Sequence, residues 1–264
     1  MPRRGTPANR GRMKKAFSLA YGFLCYMVFF VTFTYSIGFL QNLVVPKSID
    51  SGTEKGLIPS LLINGLLLAA FAIQHSGMAR QSFKAWWTRI VPAQIERSTY
   101  VLTTSLLLLL LFWQWHPMPW VIWKVQNPPL SAILKTVSWL GWGIVILSTF
   151  LISHFDLFGL RQVWLYFSGK PYEPVAFGTP WPYKIVRHPL YLGFLLAFWS
   201  TPVMTAGHLL FAVATTGYIF VGIRLEERDL MRAYGQEYSN YRQQVSMVLP
   251  VSLRKTGRQR RDAA

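Results

Sequence analysis

Long apolar runs separated by short polar connections limit what this chain can fold into more than any other feature. Six such runs are readable, at about 17–40, 57–75, 99–115, 132–153, 189–204 and 208–224. A helix of ~20 apolar residues crosses the hydrocarbon core of a bilayer, and a helix satisfies its own backbone hydrogen bonds there, as an open strand cannot. The fold class expected is therefore all-α, a polytopic integral membrane bundle of about six spans. The last two runs are short and meet at Thr205-Ala206-Gly207-His208. They read as a tight hairpin that is tilted or partly buried. Pro46, Gly52, Pro92, Pro117, Pro119 and Pro128-Pro129 break the chain between the runs. Trp115, Trp120 and Trp123 flank the 116–131 loop as an interfacial aromatic belt would.

Charge gives the bundle a direction. Apolar residues make up 52% of the chain and charged ones 14%, yet the net charge is +17. Six Lys and Arg precede the first run, four lie between the second and third, four between the fourth and fifth, and nine from Arg224 at the end of the sixth onward. Only Lys47, Lys55, Lys124 and Lys135 fall on the other side. By the positive-inside rule both termini are cytoplasmic. The tail Arg254-Lys255-Thr256-Gly257-Arg258-Gln259-Arg260-Arg261 could pass for a nucleic-acid arm, but basic segments beside membrane spans answer to topology and anionic lipid. The expected partner is the bilayer, with no nucleic acid. Phe17 to Leu40 exceeds a signal-peptide core and lacks a small-residue cleavage site, so it reads as a retained first span. The lone Cys25 forms no internal disulfide, and no Cys/His cluster calls for a metal. The whole chain, 1–264, reads as one membrane domain, with basic tails at 1–16 and 246–264, N-terminal spans in 17–160 and the hairpin region in 161–245.

The densest chemistry lies in that hairpin region. Arg187-His188-Pro189-Leu190-Tyr191-Leu192-Gly193 places two cationic side chains directly before a helix-starting proline. Free N–H groups and the helix dipole favour an anion there. One hairpin later come Glu226 and Glu227, with Leu230, Gly235, Tyr238 and Tyr241 behind them. Two carboxylates beside a cationic pair suit a small zwitterionic ligand carrying hydroxyls.

The pattern Tyr183-x3-Arg187-His188-Pro189-x-Tyr191-x-Gly193 followed by Glu226-Glu227-x2-Leu230-x4-Gly235-x2-Tyr238-x2-Tyr241 resembles the C-terminal signature of the isoprenylcysteine carboxyl methyltransferases and their bacterial membrane relatives. It covers about the last third of the chain. The resemblance implies an S-adenosyl-L-methionine-dependent methyltransferase in a bacterial inner membrane, with 161–245 as the cofactor-binding region. Tyr183, His188, Pro189, Leu190, Tyr191 and Glu226 then fall on cofactor-contacting positions, with Arg187 and Glu227 in support. The substrate-side Arg of that family is replaced by Gly222, which puts a prenylcysteine substrate in doubt.

Two further polar segments interrupt apolar runs, Gln74-His75-Ser76-Gly77-Met78-Ala79-Arg80 and Ser153-His154-Phe155-Asp156-Leu157-Phe158-Gly159-Leu160-Arg161-Gln162. Ionisable groups at membrane depth usually face a cavity. His154 and Asp156 stand on opposite faces of an unbroken helix, so both reach one site only if the helix ends near Ser153. With the Trp181-Pro182-Tyr183 approach, these segments resemble a thiol-methylating bacterial branch of the superfamily. That closer resemblance implies methanethiol as acceptor and dimethyl sulfide as product. A thiol is protonated at neutral pH, so a base must free the thiolate. His154 is the expected base, Asp156 its orienting partner and His75 the group across the cavity. The alternatives are a prenylcysteine or other lipophilic acceptor, an NADPH-dependent reductase sharing the hairpin, or a non-enzymatic transporter or accessory protein.

Overall fold

The computed structural model describes residues 7–175 and 178–250. Arg3, Arg4 and the basic run 254–261 lie outside them. Helices α1 (Pro7–Gln41), α2 (Leu57–Ala79), α4 (Ala93–Gln114), α5 (Pro128–Ile152) and α9 (Ala206–Gln244) are long and apolar enough to cross a membrane. Shorter helices α3 (Gln81–Trp87), α6 (His154–Leu157) and α7 (Leu160–Phe167) lie in the connections. The chain is a polytopic helical membrane protein.

The fifth apolar run departs from the expected length. It forms only α8 (Pro189–Trp199), 11 residues or roughly 16 Å of helix, about half a hydrocarbon core. The expected turn at 205–208 moves as well. Strand β2 (Val203–Thr205) pairs antiparallel with β1 (Val121–Lys124), and α9 begins directly after it, its first turn capped where Thr205 Oγ1 accepts from His208 N at 3.2 Å. A segment that hydrogen-bonds as a ribbon cannot continue as helix.

Helix α8 packs chiefly on α5, closer than two ordinary side-chain layers allow. A Cβ on Gly141 would stand 2.6 Å from the Gly193 carbonyl oxygen, and one on Gly193 would stand 2.7 Å from the Gly141 oxygen. Glycines at both positions let the backbones touch, as at small-residue crossings in membranes, and Ser138 Oγ donates to Ala197 O at 2.8 Å across the seam. This contact fixes where α8 begins, and hence where Arg187 and His188 stand.

The ends of the bundle differ. At the end away from the basic loops, Phe39, Ile49, Leu111, Trp115, Phe198 and Phe211 form an aromatic core. Trp115 is fully buried there and donates to Ile49 O at 3.1 Å, so it is a core residue and not part of an interfacial belt. At the basic end the helices run on beyond the apolar core. Arg80, the residue after α2, meets Asp229 of α9 at 3.2 Å, and α9 bends at Gly235, whose φ of 51° and ψ of −120° suit glycine alone.

Candidate functional site

The Arg187–His188 block is held before it meets any ligand. A C-terminal segment returns beside it, so that Arg187 N donates to Ser246 O at 2.8 Å and His188 N to Met247 O at 3.1 Å. Arg187 places Nε and Nη2 each 2.8 Å from Glu227 Oε1, and Nη1 donates to Arg242 O at 3.0 Å and to Val245 O. His188 Nε2 lies 3.1 Å from the same carboxylate oxygen. All three side chains are buried. The anion that the sequence block awaits is thus the chain's own Glu227, one hairpin away. Arg187 and Glu227 position their neighbours and present little surface to a ligand.

Glu226, the next residue back, is turned outward by the helical step. Its side chain is 46% exposed against 10% for Glu227. It accepts from the Tyr191 hydroxyl at 3.1 Å and stands 3.9 Å from His188 Nδ1. Pro189 is buried in the first turn of α8 and Leu190 is half-buried beside it. Tyr183 O accepts from the Tyr241 hydroxyl at 2.6 Å. Burial, reinforced by the Glu226 charge, pushes the Tyr183 phenol well above its ordinary value. Gly222, one turn before Glu226, faces the Tyr191 hydroxyl. A Cβ there would stand 3.7 Å from the Tyr191 hydroxyl.

Across from this surface lies His75, with Phe71 stacked on it at 5.4 Å and the Tyr100 hydroxyl 2.9 Å from Nδ1. The Tyr218 ring stands edge-on at 6.3 Å, and its hydroxyl receives a hydrogen bond from Ser76 at 3.1 Å. Tyr218, Gly222 and Glu226 are four residues apart in turn along α9, so they share its face toward α2. Tyr100 and Tyr218 are the residues that the sequence reading missed. That four-residue spacing signals only Tyr218.

The helix does end at Ile152, with Ser153 at φ 157° and ψ 85°, but the break parts His154 from Asp156. His154 Nδ1 bonds Thr149 Oγ1 at 2.9 Å and Nε2 bonds the Tyr26 hydroxyl at 2.8 Å, while Phe150 stacks on the ring. Both ring nitrogens are therefore engaged between α1 and α5, and burial lowers the imidazole pKa. Asp156 accepts from Arg161 at 2.9 Å and from the Tyr172 hydroxyl at 3.3 Å. Of the three expected catalytic groups, His75 stands against the face of α9 that carries Glu226. Among the described residues no group of three or more His, Cys, Asp or Glu side chains could hold a metal ion.

A multi-pass helical protein with this Arg-His-Pro block locked onto a Glu-Glu pair is a membrane methyltransferase of the isoprenylcysteine carboxyl methyltransferase-like superfamily. Within that class the chain belongs to the methanethiol S-methyltransferase family. It is 58% identical over 246 residues to methanethiol S-methyltransferase 1 of Bradyrhizobium diazoefficiens, covering 93% of this chain and 86% of the relative. It is 53% identical to methanethiol S-methyltransferase of Mycobacterium tuberculosis, covering 92% of this chain and all of the relative. More distantly it is 34% identical to nurim of Sus scrofa over 72% of this chain and 70% of the relative. No family model matches the chain, and no solved structure does.

Proposed function

We propose that this protein transfers a methyl group from S-adenosylmethionine to methanethiol at the cytoplasmic face of the membrane, giving dimethyl sulfide. The observation that carries the reading is the division of labour between Glu226 and Glu227. One carboxylate is consumed by Arg187 and His188, and the other is held open beside the Tyr191 hydroxyl. The relatives named for the reaction support the acceptor, and the Lys and Arg asymmetry supports the cytoplasmic side.

The residues fit an S-adenosyl group. Glu226, half-exposed beside the Tyr191 hydroxyl, can accept from ribose hydroxyls or face a cationic sulfur. When bound, S-adenosylmethionine supplies an electrophilic methyl on a sulfonium, with a neutral thioether as leaving group. The chain's own residues then present the acceptor. In-line displacement needs the attacking sulfur about 3–3.5 Å from the methyl carbon, and it needs that sulfur unprotonated. Among the three candidate groups we assign the base to His75, oriented by Tyr100 and walled by Phe71 and Tyr218. His154, with both nitrogens engaged, fixes the end of α5 against α1, and Asp156 anchors Arg161 and Tyr172.

Headspace gas chromatography of cells expressing the chain and fed methanethiol should show dimethyl sulfide above an empty-vector control. Purified protein should bind S-adenosylhomocysteine in calorimetry. A folded preparation that does neither refutes the assignment.

A further inference from the structure

At the basic end a groove of about 410 Å³ opens between the start of α1 and the end of α7, lined by Gly11, Arg12, Lys15 and Phe167. Its walls are set by a close crossing about two turns further along α1. A Cβ on Gly22 would stand 2.5 Å from Val163 Cγ2, and Val163 is fully buried. That crossing brings the last turn of α7 beside Lys15, whose Nζ lies 6.0 Å from the centre of the Tyr166 ring. A Cβ on Gly169, just past α7, would stand 3.4 Å from the same Nζ. The Lys15 ammonium is thus held over the end of α7, while Arg12, one turn earlier, is exposed.

These two cations find no acid on either helix. Neither α1 nor α7 contains Asp or Glu, and none of the ion pairs among the described residues uses Arg12 or Lys15. Asp156, the acid nearest α7 in sequence, is already held by Arg161 and Tyr172. The surroundings of the cations are apolar instead. Phe167 lines the groove, and Trp164, whose ring lies 6.2 Å from it, is 58% exposed. Beyond Arg12 the same face of α1 carries Ala16, Leu19 and Phe23, exposed or half-buried. Phe23 lies roughly 16 Å along the helix from Arg12, about half the thickness of a hydrocarbon core.

We propose that this groove is a binding site for one anionic phospholipid, with the phosphate between Arg12 and Lys15 and the acyl chains along the Ala16, Leu19 and Phe23 face and the Trp164–Phe167 pair. The charged and apolar halves of the groove select that occupant together. A soluble anion uses the cations and leaves the apolar track bare, and a zwitterionic lipid brings a cation of its own toward Arg12 and Lys15. The groove lies where the lipid-facing surface of α1 begins, since Phe17, two residues past Lys15, is 71% exposed. The surrounding leaflet therefore delivers the ligand. Aromatic rings at head-group depth and cations against lipid phosphate are both interfacial pairings. A lipid seated there bridges α1 and α7.

Quenching of tryptophan fluorescence in the full-length protein tests the site. The protein in neutral micelles is titrated with phosphatidylglycerol or phosphatidylcholine carrying a nitroxide on the acyl chain near the head group. The Trp164 component is the difference between wild type and Trp164→Phe. It should half-quench at a mole fraction of labelled phosphatidylglycerol roughly tenfold below that of labelled phosphatidylcholine, because each cation near the head group contributes several-fold. Arg12→Gln/Lys15→Gln should lose most of that preference, and either single substitution part of it. Arg10→Gln/Lys14→Gln removes the same charge outside the groove and should keep the preference. Equal quenching by the two lipids in wild type overturns the site, as does a preference that survives Arg12→Gln/Lys15→Gln. An equal loss in both double variants also overturns it, since net charge alone then attracts the lipid. Displacement of the labelled lipid by millimolar inorganic phosphate makes the groove a soluble-anion site and overturns the lipid assignment.

Discussion

Glu226 and Glu227 are adjacent in sequence, yet their substitutions should fail in different ways. Glu227 takes Arg187 Nε and Nη2 at 2.8 Å and His188 Nε2 at 3.1 Å, in a pocket where all three side chains are buried. Removing one member of a buried ion pair strands the other charge, at about 3–5 kcal/mol. Glu227→Ala leaves Arg187 and His188 without their carboxylate, so it belongs at the upper end of that range. Total stabilities are commonly 5–15 kcal/mol, so the variant should unfold well below the wild type or resist purification. Glu226 is 46% exposed, hydrogen-bonded to Tyr191 at 3.1 Å and 3.9 Å from His188 Nδ1. Its loss should barely move the unfolding temperature. It should instead remove a charge-assisted ligand contact of ~1.5–3 kcal/mol, roughly a 10- to 150-fold rise in Kd. Thermal unfolding in detergent and calorimetry with S-adenosylhomocysteine separate the two effects. If Glu226→Gln melts early and binds normally, or Glu227→Ala melts normally, the roles assigned to the pair are reversed and the reasoning fails.

The base can be examined in the same preparation. His75→Ala should keep S-adenosylhomocysteine affinity and lose ~10²–10⁴-fold in turnover at neutral pH, with partial recovery as rising pH supplies thiolate from solution. Equal turnover in His75→Ala and wild type would move the proton to another group or to solvent. His154 should act on stability, not on turnover. Burial depresses its folded-state pKa below the ordinary 6.5. It therefore contributes stability above that value, and the contribution is lost as pH falls through the folded pKa. The unfolding temperature of wild type should drop between pH 7.5 and 5 more steeply than that of His154→Gln, and matching slopes would remove His154 from the acid response.

Most of the fold was legible because hydropathy and charge act locally along the chain. Five of the six apolar runs became long helices near the expected positions. The exception, α8, turns on a distant fact, since β2 pairs with a strand about eighty residues earlier and hydropathy carries no record of pairing. The site was legible in its parts but not in its wiring. Arg187 and His188 read as a site for a ligand's anion, and periodicity cannot reveal that the chain's own Glu227 stands against them. For the same reason His154 and His75 looked equivalent in sequence. Each is a histidine near the end of an apolar run. Only tertiary contacts show one clasped by Tyr26 and Thr149 and the other beside Tyr218.

The two ends of the bundle bear on the proposed reaction together. At the far end several polar groups are paired within the protein. Asp50 accepts from Asn42 at 2.8 Å and from Thr205, Asn64 holds both backbone groups of His116, and β1 pairs with β2. The basic end keeps the half-exposed Glu226 carboxylate beside the Tyr191 hydroxyl. Attack of a thiolate on a sulfonium brings opposite charges together and disperses them in the transition state. Water stabilises the separated ions more than the dispersed state, so a site walled by Phe71, Tyr100 and Tyr218 favours the proposed reaction. In the proposed reaction the basic end must stay wet to admit a charged methyl donor. A small apolar thiol needs no aqueous door, because it partitions into the bilayer and can enter between helices. A charged end and lipid on the flanks is the arrangement that the two unlike reactants of the proposed reaction require.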